Sequence, residues 1–206
     1  MEIKTILDEV VTTLVIEKSK FISYLIPVES KSEASEVLEN LRKKHFDATH
    51  VCYAYIVNDE VTLYKSSDDG EPSQTAGAPI LNVLRKNDLS NVVCAVVRYL
   101  GGIKLGAGGL TRAYSNSAIE AVNAATVVTL VDAYHYQISF GYDKINYIDK
   151  YFEIHNIEII DKSYEMEVVY TLLIFDEEEY LSLFNKIEYM GYKTSKIKQV
   201  ISKKKI

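Results

Sequence analysis

The sequence predicts an α+β protein of two domains, residues 1–130 and 131–206. Three observations carry that reading. The chain has 206 residues, 48% of them hydrophobic and 25% charged, which is enough length for two cores and the balance of a folded chain. Strands and amphipathic helices succeed one another to about Ala125, and beyond Val131 a fresh series of strand, helix, strand, strand, helix, strand begins, the ferredoxin-like βαββαβ order. Finally, Gly101, Gly102, Gly106, Gly108 and Gly109, five of the nine glycines, stand between an apolar strand and an Ala-rich helix, a strand-to-helix connection of the kind found in α/β layers.

In the first half, two β-rich runs from Val10 to Val28 flank Glu17-Lys18-Ser19-Lys20 and read as a hairpin. Ser30 caps a helix over 32–44, where Ala34, Val37, Leu38 and Leu41 recur at helical spacing. A second hairpin joins 49–57 to 61–64 through Asn58-Asp59-Glu60, and 66–73 is a loop by composition, with Asp69-Gly70 and Pro72 as turn residues. A helix begins near 75–79 and runs to about Asn87. The almost continuous apolar run 91–99 implies a strand buried on both faces. The glycine loop and a helix over 110–125 complete this half.

In the second half, Tyr134, Tyr136, Ile138 and Phe140 alternate with His135, Gln137, Ser139 and Gly141, the pattern of a half-buried strand. Ile145, Ile148 and Phe152 follow at helical spacing. Residues 157–160 and 168–175 supply the middle strands, with a turn near 162–164. Asp176 and three glutamates open a second helix that turns Leu181, Phe184 and Ile187 inward and ends at Gly191, and 195–201 is the last strand.

Composition excludes several classes of function. No apolar run approaches the roughly 18 residues of a membrane helix, and Met1-Glu2-Ile3-Lys4 does not open an export signal, so a cytoplasmic protein with no membrane partner is expected. Cys52 and Cys94 lie in strand-like runs and suit buried thiols in a reducing compartment. A net charge of -6 argues against coating nucleic acid by bulk attraction but leaves room for a local basic face. Lys193, Lys196, Lys198, Lys203, Lys204 and Lys205 form a basic end that reads foremost as a solvated strand edge.

Two loops carry candidate chemistry. In the first, Gly101, Gly102, Gly106, Gly108 and Gly109 point backbone N–H groups at an anion beside a helix N-terminus, with Arg98, Lys104 and Arg112 completing a phosphate site. It matches neither a dinucleotide fingerprint nor a Walker loop, and Ala113, Ala118, Ala121, Ala124 and Ala125 equally support close helix-to-sheet packing. In the second, Asp68, Asp69, Glu71, Ser73 and Thr75 precede a helix, and either hold a cation or place a base, or else cap turns. His45, Asp47 and His50 resemble metal ligands, but the chain passes from helix to strand between them and no fourth ligand is evident. The sixteen tyrosines fall mostly at core positions. No Ser/His/Asp or Cys/His arrangement stands out for covalent catalysis, and no metal or cofactor is expected.

Taken together and in this order, Lys18-Ser19-Lys20-Phe21, His50-Val51-Cys52-Tyr53-Ala54-Tyr55, Asp69-Gly70-Glu71-Pro72-Ser73, Arg98-Tyr99 and Leu110-Thr111-Arg112-Ala113-Tyr114 resemble the IMPACT/YigZ family. Gln74, where the family pattern has Gly, and Leu100, where it has a second aromatic, are departures. The resemblance implies an N-terminal α/β sandwich similar to the second domain of a small-subunit ribosomal protein and a ferredoxin-like C-terminal domain similar to one in an elongation factor. The family's eukaryotic branch looks like a regulator of translation initiation working through protein partners and an extra N-terminal domain. With that extension absent, only a link to ribosomes or RNA is expected here.

The resulting expectation is a translation-linked regulatory binding protein that holds RNA or nucleotide phosphate, or a ribosome-associated partner. The alternative is an enzyme acting on a phosphorylated small molecule through Asp68, Asp69 or Glu71. A third reading is a protein-interaction factor with no small ligand.

Overall fold

A computed structural model describes residues 3–58, 61–176, 178, 180, 181, 184, 185 and 192–205, with backbone alone at 197–201 and 203–205. The chain divides into two compact units, one to Thr129 and one from Leu130 to Lys203.

The first unit contains β1 (Ile3–Ile6), β2 (Val10–Ile16), β3 (Ser19–Pro27), α1 (Lys31–Lys44), β4 (His50–Asn58), β5 (Thr62–Ser67), α2 (Gly77–Lys86), β6 (Val92–Tyr99) and α3 (Gly106–Ala124). Its main sheet has the order β2-β3-β6-β4-β5 with every pair antiparallel. The β2–β3 connection is tighter than the sequence suggests: only Glu17 and Lys18 lie outside the strands, at φ 46 and 63, the left-handed pair that a two-residue hairpin needs. Ser30 caps α1 by accepting the Glu33 N–H at 3.1 Å.

Strand β6 is buried along 92–98 because helices cover both faces of the sheet. Val92, Cys94 and Val96 meet Ile80, Leu84, Ala113, Tyr114 and Ala118 of α2 and α3. Val93, Ala95 and Val97 meet Ala34, Leu38 and Leu41 of α1. The two helices on one face require close approach, and the alanines of α3 permit it. Strand β1 is tied in by the Ser90 N–H to Lys4 carbonyl bond at 2.8 Å and the Thr5 hydroxyl to Asn91 carbonyl bond at 3.1 Å.

In the second unit, β7 (Val127–Phe140), α4 (Ile145–Ile154), β8 (Glu158–Tyr164), β9 (Val168–Ile174) and β10 (Lys193–Lys205) follow, with a single 3₁₀ turn before α4. β1 also pairs with β7, whose residues 127–129 belong to the first unit. The spatial order β10-β7-β9-β8 is that of a ferredoxin-like sheet, so the chain is a two-domain α+β protein. Tyr136, Ile138, Phe140, Val168, Tyr170, Leu172, Ile148 and Phe152 form its core.

Several boundaries move. Residues 162–164 belong to β8 rather than to a turn, and β7 starts at Val127. Leu181 is 50% exposed, while Tyr180 and Phe184 are buried; the four-residue step from 180 to 184 starts the apolar stripe one position earlier than expected. Asp59, Glu60, Ile187 and Gly191 lie outside the described residues, as do the side chains of Lys198, Lys203, Lys204 and Lys205. No described helix is long and apolar enough to cross a membrane.

Candidate functional site

Sheet register gathers the sequence motifs at one end of the first unit. Arg98 stands opposite both Phe21 and His50, and Ser67 stands opposite Tyr53. The end of β6, the starts of β3 and β4, and the end of β5 therefore meet, with the acidic loop and the start of α3 connected to them.

The acidic loop turns inward. Glu71 is 8% exposed; its Oε1 accepts from Arg98 Nη1 at 2.6 Å and from the Tyr114 hydroxyl at 2.8 Å. Asp69 accepts the Val51 N–H and an Arg42 N–H, each at 2.7 Å, while its backbone carbonyl lies 2.8 Å from His50 Nδ1. Because a carbonyl only accepts, Nδ1 carries the proton and His50 Nε2 faces Glu71, 3.9 Å away. Asp68 accepts the N–H groups of Gln74, Ala76 and Gly77 at 2.8, 2.9 and 2.8 Å. Burial alone raises its pKa, but these three donors outweigh that and hold it below the usual carboxylate value. Asp68 thus does the capping that the N-cap residue Ala76 cannot.

The two other expected members of this loop play smaller parts. Thr75 is buried, and its hydroxyl donates to the Pro72 carbonyl at 2.6 Å. Ser73 is exposed. The Cys52 thiol, which donates to the Asp68 carbonyl at 2.9 Å, is pushed up to about 12, chiefly by burial; that keeps it a thiol rather than a nucleophilic thiolate.

The glycines divide into two groups. Gly101 is a packing residue, since an added Cβ would overlap the backbone of Lys18 and Ser19. Gly102 and Gly106 have φ of +85 and +67 and open space where a Cβ would stand. Helix α3 begins at Gly106, four residues earlier than the sequence reading, so Gly106, Gly108 and Gly109 form its first turn rather than a loop. No side chain caps that end, leaving its N–H groups open. Arg112 folds back along the helix, its Nη1 3.8 Å from the Cβ position of Gly108, as helical side chains point toward the N-terminus. Lys104 and Arg112 are exposed and make no ion pair with a described residue. Arg98 is placed differently from its expected role beside them: it is 3% exposed and matched to Glu71.

The metal-like triplet is dispersed. His50 faces Asp69 and Glu71, whereas His45 is held between Tyr24 (Nε2 to hydroxyl, 2.8 Å) and Tyr99 (Nδ1 to hydroxyl, 2.8 Å). Asp47 accepts the Tyr99 hydroxyl at 3.1 Å. No described group of three His, Cys, Asp or Glu residues could hold a metal ion. Sequence reasoning gave no role to Ser19, Arg42 or Tyr114. Ser19 and Tyr114 lie in segments that carry the family resemblance, and Tyr114 also sits four residues after Leu110 on the buried stripe of α3.

The His45 geometry sets a pH dependence. Tyr99 donates to Asp47, so His45 Nδ1 is the donor to Tyr99 and Nε2 accepts from Tyr24. Burial first, then Lys44 and Lys20, hold the imidazole below its ordinary pKa against the opposing pull of Asp47. The unfolded chain therefore takes up this proton near pH ~6.5, the folded one only lower. Stability present above that value is lost as pH falls through the folded pKa. Urea midpoints of the first unit should drop between pH 7 and 5, and His45→Gln should flatten that slope. A mutant profile parallel to the parent's would contradict the assignment.

The same part of the chain is matched in known proteins. The model of the Impact N-terminal domain matches residues 17–122, the span from the β2–β3 turn through most of α3. The chain is 50% identical over 115 residues to the IMPACT family member YvyE of Bacillus subtilis, covering 56% of this chain but only 53% of that protein. It is 33% identical over 156 residues to the IMPACT family member YigZ of Escherichia coli, covering 75% and 76% of the two chains. A crystal structure of a hypothetical protein superposes with a TM-score of 0.62 and 27% identity, over 96% of this chain and 98% of the other.

Proposed function

The chain belongs to the IMPACT family, and on that premise we propose that it is a translation-linked regulatory binding protein whose first unit holds a phosphate group of RNA or a nucleotide at the start of α3. The observation that carries the reading is the uncapped first turn of α3, Gly106 to Gly109, beside the exposed cations Lys104 and Arg112, which form no ion pair with a described residue. Such a terminus attracts anions through its N–H groups and its dipole, and a cation placed near it is favoured once an anion sits between them. The translation link, ribosome-associated partners and a cytoplasmic location come with the family resemblance.

Binding is favoured over catalysis by the acidic loop. Asp68, Asp69 and Glu71 each accept two or three hydrogen bonds from the fold itself, a structural use that argues against the base or metal ligand of the alternative enzyme.

Fluorescence anisotropy with labelled RNA, competed by ATP and by pyrophosphate, tests the reading. Lys104→Glu combined with Arg112→Glu should weaken binding at least tenfold, and affinity should fall with salt by a log–log slope of about 0.7 per phosphate neutralised. Salt-independent binding that survives both changes would remove the proposal.

A further inference from the structure

A second surface lies at the same end of the first unit, around the turn that follows α1. Phe46 is 86% exposed, and the turn carrying it is firmly built. The His45 N–H donates to the Leu41 carbonyl at 2.9 Å, the Ala48 N–H to the His45 carbonyl at 3.0 Å, and the Thr49 N–H to the Arg98 carbonyl at 2.9 Å. The His45 ring is fastened to Tyr24 and Tyr99. Leu100, 55% exposed, joins the same turn through its N–H to Thr49 Oγ1 at 3.3 Å. Two apolar side chains are thus displayed on hydrogen-bonded backbone, Phe46 almost wholly and Leu100 by about half.

Three lysines lie on the adjoining helix end, strand and hairpin turn. Lys20 stands opposite Tyr99 in the β3–β6 register, the Lys44 ammonium lies 4.9 Å from the centroid of the Tyr24 ring, and Gly101 rests on the backbone of Lys18. None of these three lysines makes an ion pair with a described residue. The acids on these turns are Asp47, which takes the Tyr99 hydroxyl, and Glu17, beside Lys18 in the hairpin; at the same end Asp69 and Glu71 are paired with Arg42 and Arg98, and Asp68 accepts three backbone N–H groups. In a chain of net charge -6, these turns carry three lysines that have no acidic partner among the described residues.

We propose that this patch binds single-stranded nucleic acid, one base stacking on Phe46 and the flanking phosphates meeting Lys18, Lys20 and Lys44. The inference rests on the phosphate site proposed at α3 and extends it. The segment from Leu100 to Gly106 joins the two surfaces and spans at most about 20 Å when fully extended, a reach of a few nucleotides along one strand. Charge complementarity selects a polyanion. The shape of the apolar element selects the kind: a projecting ring offers a face to a flat base, whereas a peptide side chain needs a recess to enter.

The test uses the whole chain and a fluorescein-labelled 12-nucleotide single-stranded RNA, with pyrophosphate as a separate probe of the α3 site. Phe46→Ala should weaken RNA binding about tenfold and Phe46→Tyr should restore it, both with unchanged far-UV circular dichroism. Lys20→Ala with Lys44→Ala should lower the log–log salt slope by about 1.4. Pyrophosphate binding should survive all of these and be lost in the Lys104→Glu, Arg112→Glu variant. If RNA affinity is unchanged in Phe46→Ala while that charge-reversed variant still loses it, the patch is not part of the path and the α3 site stands alone. Wild-type protein that binds pyrophosphate but no RNA also overturns the inference. So does polyglutamate competing as well as polyuridylate, which would assign the patch to an acidic protein segment. Binding of neither RNA nor pyrophosphate overturns both proposals.

Discussion

Glu71→Ala is expected to destabilise the first unit by about 3–5 kcal/mol, the cost of leaving one member of a buried ion pair without its partner. Arg98 Nη1 has Glu71 as its carboxylate, Nη2 reaches only Ser19 Oγ at 3.5 Å, and Nε has no hydrogen-bond partner. The guanidinium would be stranded between β3 and β4, and the Tyr114 hydroxyl would lose the acceptor it meets at 2.8 Å. Arg98→Met alone is also destabilising, since it leaves the Glu71 carboxylate buried with Tyr114 as its nearest donor. The double variant Glu71→Leu, Arg98→Met removes both charges and should recover much of the loss. Urea unfolding followed by circular dichroism, with hydrogen exchange read on β6 and α3 peptides, measures each term. A Glu71→Ala midpoint equal to the parent's would mean that the pair carries no net load.

This pair also shows where the sequence was legible and where it was not. Periodicity located the strands and helices of the first unit from β2 onward, though not the four-residue β1, because burial has a local signature: the unbroken apolar run of β6 follows from its two covered faces, and Ala34, Leu38 and Leu41 mark the inner stripe of α1. The second unit's strand order could likewise be anticipated from the succession of its elements. Charged side chains carry no such signature. Arg98 and Glu71 are 27 residues apart, and each reads in isolation as a surface group free for a ligand; only sheet register makes them partners. Asp68 misleads in the same way. It looks like a base or metal ligand, yet it is spent on three N–H groups at the start of α2. Lys104 and Arg112 were legible as candidates because a cation near a helix start is conspicuous in one dimension. Phe46 was not, since whether an aromatic residue in a helix-to-strand turn folds inward is decided by tertiary contacts.

Gly101→Ala is expected to cost about 3 kcal/mol, at the upper end of the overpacking range, because the obstruction is backbone rather than a flexible side chain. The new methyl group would overlap the carbonyl of Lys18 and the nitrogen of Ser19. Those atoms lie in the two-residue hairpin turn, where Lys18 already sits at φ 63 and has little freedom to withdraw. Displacing them would also stretch the 3.2 Å bond from the Gly101 N–H to Ser19 Oγ, and with it the hydroxyl that lies beside Arg98. Gly102→Ala is the informative comparison. Its Cβ meets nothing within 4 Å, but its φ of +85 disfavours any side chain, so about 1 kcal/mol is expected from backbone strain alone. Thermal unfolding of the two variants separates crowding from strain. The order Gly101→Ala well below Gly102→Ala, with increased hydrogen exchange at residues 16–20 in the former only, identifies the first glycine as the seat of the hairpin. Equal melting temperatures would contradict the close approach and leave a flexible glycine loop as the better description.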